Sequence, residues 1–342
     1  MSVTRPSSSS AASFVRSLPT SRPWRIAFYL VALAALFLAP VYLQSSYSVR
    51  ILVLVCLFGA ASTGWNLIGG YANQISLGHT VFFGIGAYAT VIFQGTLGLS
   101  PWLAIPTGIV LAVIVALLIG WPTFQLSGHY FALATLALLP VFHIIATYWE
   151  DLTGGSVGIS VPILPSGLDT LQFDTPTPFF YIAAVLLVLV MILARWVRQS
   201  VLGLQLDAIR LNPQASTLAG VNQFRAKMKA LVMSAAVVAV AGSLYGAFLQ
   251  FMDPDTAFSW NTTLNLVLFA MVGGVRFWWG PALGALILIP FGEFASAQLT
   301  GNLAALGQLA YGVLLILLVL FQPRGIGGLF SIVWQKATGR KL

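Results

Sequence analysis

Ten apolar runs punctuate the chain, at about 26 to 43, 51 to 70, 78 to 97, 101 to 120, 129 to 148, 178 to 195, 229 to 250, 262 to 275, 279 to 296 and 303 to 322. Most approach the ~20 residues a helix needs to cross ~30 Å of hydrocarbon. In lipid only helices and closed barrels satisfy every backbone polar group within the segment. The pattern therefore predicts an all-α polytopic integral membrane protein with about ten transmembrane or re-entrant helices. The eighth run is short and holds Gly273 and Gly274, so it reads either as a complete crossing or as a re-entrant or broken helix lining a cavity.

Composition supports lipid as the solvent. Of 342 residues, 58% are hydrophobic and 7% charged, with a mean hydropathy of +0.92, where a soluble domain carries roughly a quarter charged residues. The formal charge is +8, but the basic residues lie between apolar runs instead of forming one face, so they read as topology signals and not as a nucleic-acid footprint. Loop 150–177 holds Glu150, Asp151, Asp169 and Asp174 and no basic residue, whereas loop 195–229 holds Arg195, Arg198, Arg210, Arg225, Lys227 and Lys229. With the four arginines of residues 1–25 and the four basic residues from Arg324 onward, fourteen of sixteen basic residues alternate with the acidic loop. Ten crossings with both termini cytoplasmic satisfy that alternation. Residues 1–25 read as a disordered basic cytoplasmic tail, with a transit peptide as the other reading, residues 26–330 as the transmembrane domain, and 331–342 as a basic cytoplasmic end.

Several chemistries are missing. No carboxylate falls at a predicted midplane, where ion-driven carriers place ionisable groups. His79 and His129 begin apolar runs and His143 lies within one; lone histidines of this kind are more often hydrogen-bonded packing residues than proton relays. No lysine follows a glycine, so the chain has no phosphate loop, and Gly84-Ile85-Gly86 completes no dinucleotide fingerprint. The lone Cys56 permits no intrachain disulfide and no thiolate metal cage. No cofactor is expected in this chain, and energy must come from a partner.

The stretch from Asp207 to Val221 is polar and carries helix punctuation. Asn212 can cap, Pro213 suits the first helical position and Gly220 can take a left-handed stop, which predicts a two-turn helix over 213–219. Ala215, Leu218 and Ala219 share one of its faces. So short a helix needs something to pack against, either its own bundle or a partner. Elsewhere Asn66, Asn73, Gln74, Ser76 and His79 gather where the second run ends and the third begins. They could line a gate or bond the broken backbone there, and the second reading is the commoner for any one residue. Gly242 with Gly246, and Gly280 with Gly284, have the spacing of close helix packing.

Three segments carry a resemblance. The first runs from Gly64-Trp65-Asn66-Leu67-Ile68-Gly69-Gly70 through Asn73-Gln74-Ile75-Ser76-Leu77-Gly78-His79 to Gly84-Ile85-Gly86-Ala87-Tyr88. The second is Gly128-His129-Tyr130-Phe131-Ala132-Leu133-Ala134-Thr135, followed by Thr153-Gly154-Gly155. The third joins Val272-Gly273-Gly274 to Trp279-Gly280-Pro281, with Phe321-Gln322-Pro323-Arg324-Gly325 beyond it. Together they resemble the membrane permeases of branched-chain amino-acid ABC importers, M-type subunit, over most of residues 50–330.

The resemblance implies that 203–221 is the coupling loop that rests on an ATPase, through Ile209, Arg210, Asn212, Pro213, Ala215, Leu218, Ala219 and Gly220. It places Asn66, Asn73, Gln74, Ser76, His79, His129, Tyr130 and Thr135 along the translocation path. The implied partners are a homologous second permease, two ATPase subunits that bind ATP and Mg, an extracytoplasmic solute-binding protein and membrane lipid. The solute is a branched-chain amino acid or a related small neutral or zwitterionic molecule such as urea or a short amide. The sequence departs from the family pattern at Leu211, Pro213 and Thr217, where acids are usual, at Asp207, where a basic residue is usual, and at Arg276 and Phe277, where small residues are usual. The rival class is a stand-alone secondary transporter or channel, which needs an ion site. A membrane-embedded enzyme would need paired acids or metal ligands in the bilayer.

Overall fold

A computed structural model describes residues 23–43, 45–125, 129–298, 312 and 325–328. The tail over 1–22, the tenth apolar run apart from Gly312, and the C-terminal stretch 331–342 lie outside the described residues. The chain divides into two units, residues 1–44 and 45–342. In the first, helix α1 spans Pro23–Tyr42 with Pro40 inside it.

The second unit opens with α2 (Ser46–Gly69), α3 (His79–Gly95), α4 (Pro101–Thr123) and α5 (His129–Tyr148). Ser100 caps α4 by accepting from the Trp102 amide, and Pro101 occupies the first turn, where its missing N–H is no loss. The acidic loop then holds the single turn α6 (Glu150–Thr153) and the short strand β1 (Ile159–Ser160). Helices α7 (Pro176–Gln199), α8 (Val201–Leu211), α9 (Pro213–Leu218) and α10 (Gln223–Leu249) follow. Strand β2 (Phe251–Met252), α11 (Pro254–Ala257), α12 (Trp260–Gly273) and α13 (Gly280–Gln298) complete the described elements.

Among the described residues, five helices are long and apolar enough to cross a membrane: α2, α4, α5, α7 and α10. Helices α2 and α10 form the centre. α10 packs against α3, α2 and α4, while α2 packs against α7 and α13. Helices α4 and α5 are equally apolar but mostly exposed, with Leu118, Trp121, Leu133 and Ile144 pointing outward. In water such faces would aggregate; in lipid they are solvated.

The eighth run forms α12. At 1.5 Å per residue the 14 residues of α12 rise only about 21 Å, short of the ~30 Å hydrocarbon layer. The stretch that precedes it is irregular. β2 pairs antiparallel with β1 of the acidic loop, Ile159 opposite Met252, and from there the chain descends along α3 through α11 and Phe258 to the start of α12. The far end of α12 leads to Trp278, whose ring lies 5.6 Å from the guanidinium of Arg195 at the basic end of α7. The non-helical stretch is tolerated because Met252, Ala257 and Phe258 are buried in protein instead of facing lipid.

Helices α3 and α10 touch backbone to backbone. A Cβ at Gly242 would collide with the carbonyl of Phe83, one at Gly86 with the carbonyl of Ala239, and one at Gly246 with the carbonyl of Ala87. The reciprocity means that neither helix can carry a side chain at the crossing without being pushed away. Gly242→Ala should lower stability by about 1–3 kcal/mol as an overpacked contact. Thermal unfolding in detergent reads this as a lower midpoint, with Gly167→Ala, where a Cβ meets nothing closer than 4.0 Å, as the unchanged control.

Candidate functional site

The non-helical segment 70–78 between α2 and α3 is the first of two clusters of candidate residues. Tyr71, Ala72 and Ser76 are almost inaccessible while Asn73 and Ile75 are exposed, so the buried part of its backbone must find partners inside the protein. Side chains supply them. The Trp65 indole N–H donates to the Ser76 carbonyl at 2.7 Å, the Leu77 amide donates to Thr135 Oγ1 at 3.0 Å, and that hydroxyl donates in turn to the Ala132 carbonyl.

His79 opens α3 in the middle of this network. Its Nε2 lies 2.8 Å from Ser234 Oγ on α10, and its Nδ1 2.8 Å from Ser76 Oγ. The Ser234 hydroxyl donates to the Gly64 carbonyl at 2.7 Å, so its oxygen must accept from His79 Nε2–H. Nε2 therefore carries a proton, and in the neutral tautomer Nδ1 accepts the Ser76 proton. Both ring nitrogens are committed to packing, as expected of a lone buried histidine. One network thus ties α2, α3 and α10 together.

Asn66 differs from its neighbours. It is buried at the end of α2, and neither its amide nitrogen nor its amide oxygen has a partner in the described structure. Asn73 is exposed and adopts a left-handed φ of 55°, which asparagine tolerates better than most residues. Gln74 is half-buried. Tyr130 stands exposed on α5, away from the cluster, and the side chain of His129 lies outside the described residues. Beside Ser76 and Thr135 is a cavity of about 10 Å³, lined also by Phe82, Thr123 and Phe131, with room for about one water molecule.

Sequence reading missed Ser234, Thr80 and Thr263. Thr80 and Thr263 bond each other through their hydroxyls at 2.5 Å, joining the first turn of α3 to the first turn of α12. Ser62 donates from α2 to the Leu266 carbonyl of α12 at 2.7 Å. The two interrupted elements of the bundle therefore meet at their helix starts. The signal was present in principle, since each hydroxyl lies in an apolar run, but single Ser and Thr residues are too common in membrane helices to stand out.

The second cluster is the loop after α7. Asn212 caps α9 by accepting from the Ala215 amide at 3.0 Å, Pro213 takes the first turn, and Gly220 follows at φ 83°. The helix ends at Leu218, one residue earlier than its expected end at 219. Ser216 turns inward, and Gln223 at the head of α10 donates to the Pro213 carbonyl at 2.6 Å, to Thr217 Oγ1 at 2.7 Å and to Ser216 Oγ at 3.3 Å. Ala215, Leu218 and Ala219 face outward, Leu218 with 91% of its surface exposed. Ile209 does not join them. It is buried on α8 among Leu67, Ala194, Val197 and Leu206, so it anchors the loop to its own bundle and presents nothing to a partner. Arg210 is half-buried; burial and the neighbouring Arg276 and Arg198 guanidiniums pull its pKa below the usual arginine value, against the opposing charge of Asp207.

A family model described as the branched-chain amino acid transport system / permease component matches residues 47–321. The chain belongs to that family. It is 27% identical to the high-affinity branched-chain amino acid transport system permease protein LivM of Escherichia coli over 321 residues, covering 87% of this chain and 74% of LivM. The LivH permease protein of Salmonella typhimurium is 25% identical over 79% of this chain and 91% of its own length. A probable branched-chain amino acid transport permease protein LivM of Methanocaldococcus jannaschii is 24% identical, covering 76% of this chain. No solved structure matches. This family member is thus a LivM-like, multi-pass membrane permease subunit of an ABC importer.

In this permease the hydroxyl of Ser234 is the only described link from α10 to both His79 and the Gly64 carbonyl. Ser234→Ala leaves two buried polar groups without that partner and should lower stability by about 1–3 kcal/mol. Thermal unfolding of the purified subunit checks it, with Ser234→Thr expected to retain most of the lost stability.

Proposed function

We propose that this permease imports branched-chain amino acids, paired with a homologous second permease, fed by an extracytoplasmic solute-binding protein and driven by two ATPase subunits that hold ATP and Mg. Both termini are cytoplasmic in this reading, as the distribution of basic residues favours. The chain contributes the conduit and no catalysis. The observation that carries the proposal is α9: a capped, two-turn helix with an outward apolar face, clamped by Gln223 to the start of α10. Six residues of helix are too few to persist unsupported, and exposed leucine at its end is unfavourable in water, so both features fit a knob seated in a partner's groove.

Force applied to the knob has a contiguous route inward. It passes from α9 through Gln223 into α10, then through the glycine crossing and Ser234 to α3, and through Thr80 and Thr263 to α12. The solute path lies beside these interrupted elements, where irregular backbone borders a cavity instead of lipid. No carboxylate lies in the middle of an apolar run, and the acids of loop 150–177 stay at one end, so the passage holds no fixed acid in its middle. That suits a zwitterion whose affinity resides in the binding protein. The relatives' names support branched-chain amino acids as the solute.

Leu218→Asp should cut uptake by at least ~10-fold while the ATPases continue to turn over, since one buried charge without a partner outweighs a small apolar contact. Uptake of labelled leucine into proteoliposomes holding the full complex, with ATP hydrolysis measured in parallel, tests this. Wild-type rates in the variant would refute the docking role. Uptake by the permease pair without ATPases or binding protein would refute the import mechanism.

A further inference from the structure

Among the described residues, two buried side chains carry polar atoms that meet no partner: the amide of Asn66 and the hydroxyl of Tyr88. Tyr88 is 5% exposed and closes the Gly84-Ile85-Gly86-Ala87-Tyr88 stretch of α3, whose glycines serve helix packing. A buried hydroxyl without a hydrogen bond is unfavourable, and a phenylalanine would fill the same space without that cost. The position suits a group that meets a partner from outside the chain.

The hydroxyl sits beside the start of α12. Thr80, Gly84 and Tyr88 follow one another at i, i+4 and i+8 along one face of α3. Thr80 bonds Thr263 in the first turn of α12. A Cβ at Gly84 would stand 2.5 Å from Cε1 of Phe258 and 2.9 Å from the Ala257 carbonyl oxygen. The Tyr88 and Phe258 rings stack with centroids 6.0 Å apart, and Phe258 immediately precedes Ser259, the N-cap of α12. This face of α3 therefore brackets the helix start from Phe258 to Thr263. A helical side chain leans toward the N-terminus of its own helix, so Tyr88 leans toward Gly84 and the bracketed turn. Ser259 makes no side-chain cap, and the amides of Trp260, Asn261 and Thr262 have no acceptor within the helix. Free N–H groups at the positive end of a helix dipole, with an O–H beside them, make a receptor for a carboxylate.

We infer that Tyr88 and the first turn of α12 bind the carboxylate of the travelling solute, Tyr88 by donating its hydroxyl proton. The surroundings suit the remainder of an aliphatic zwitterion. The Phe142 ring of α5 lies 6.1 Å from that of Phe258, and Leu139 joins the same apolar cluster, which gives an aliphatic side chain its surface. Asp253 opens α11 on the far side of Phe258, beside Gly158 of the acidic loop, where it faces the ammonium. In the described conformation α5 closes this side, held to α11 by the 2.9 Å contact of His143 with Asp255, and solute reaches Tyr88 when that side opens. The site rests on the proposed import of an amino acid and names the groups that meet it within the membrane.

Ligand-observed NMR on the detergent-purified transporter complex without its binding protein reads the site directly. Leucine is expected to bind, whereas leucinol, which keeps the ammonium and side chain but lacks the carboxylate, is not. Tyr88→Phe should weaken leucine binding and slow ATP-driven leucine uptake into proteoliposomes about tenfold each, the loss expected for one hydrogen bond to a charged group. Its thermal midpoint should equal or exceed that of the unaltered complex, because the hydroxyl removed has no partner in the fold. Tyr148→Phe, at the exposed end of α5, is the control and should change none of these. Unchanged binding and uptake in Tyr88→Phe, or equal binding of leucinol, overturns the site. So does a lowered midpoint, which would give the hydroxyl a packing role. A complex that binds leucine through Tyr88 yet takes up none when supplied with binding protein and ATP would support the site and refute the import reading.

Discussion

The contact on which this permease depends is the seating of α10 against α3. It is made by glycines, Gly86 from one side and Gly242 and Gly246 from the other, so that backbone meets backbone. In lipid there is little hydrophobic drive to hold two helices together, and close packing with a few hydrogen bonds must serve. Ser234 provides those bonds about two turns before Gly242 on α10, reaching His79 and the Gly64 carbonyl. A shift of α10 therefore cannot be absorbed by soft side chains; it is passed to α3 and α2.

The same constraint explains why polar residues cluster where they do. Segment 70–78 and the stretch before α12 break the helical ladder inside the bundle, and each freed backbone group has to be met by protein. Trp65, Ser76 and Thr135 meet them in the first break. The second is held by burial against α3 and by the β1–β2 pairing. Asn66 is the exception, with both amide atoms buried and unpartnered. An uncompensated amide in this position is unfavourable in the conformation described and becomes less so in any conformation that brings a carbonyl or water to it.

Much of this was legible in the residues. Apolar run length identified the membrane helices, and Asn212, Pro213 and Gly220 fixed α9 to within one residue because capping chemistry is local. Within the polar motif, Ser76 bonds to the broken backbone and His79 to the side chains of Ser76 and Ser234. Partners far apart in sequence were not legible. Ser234 and Thr263 matter through residues 155 and 183 positions away, and no periodicity encodes that. The resemblance included Ile209 in the docking loop, whereas the turn of α8 directs it into the core. The interruption before α12 was one of two readings, since Gly273 and Gly274 mark the helix end but not the irregular descent that precedes it.

Helices α9 and α10 form one mechanical body, joined by the side-chain amide of a single glutamine, whose two protons are shared among three acceptors. The direct test replaces Ser216 and Gln223 with cysteine in a Cys56→Ser background, bridges the pair with a short bifunctional thiol reagent, and measures ATP-driven leucine uptake by the reconstituted complex before and after bridging. Uptake at the unbridged rate is the predicted result, because the bridge only replaces a rigid link. Loss of uptake on bridging, in a complex that transports without it, would mean that the knob must move against α10 and would contradict the account.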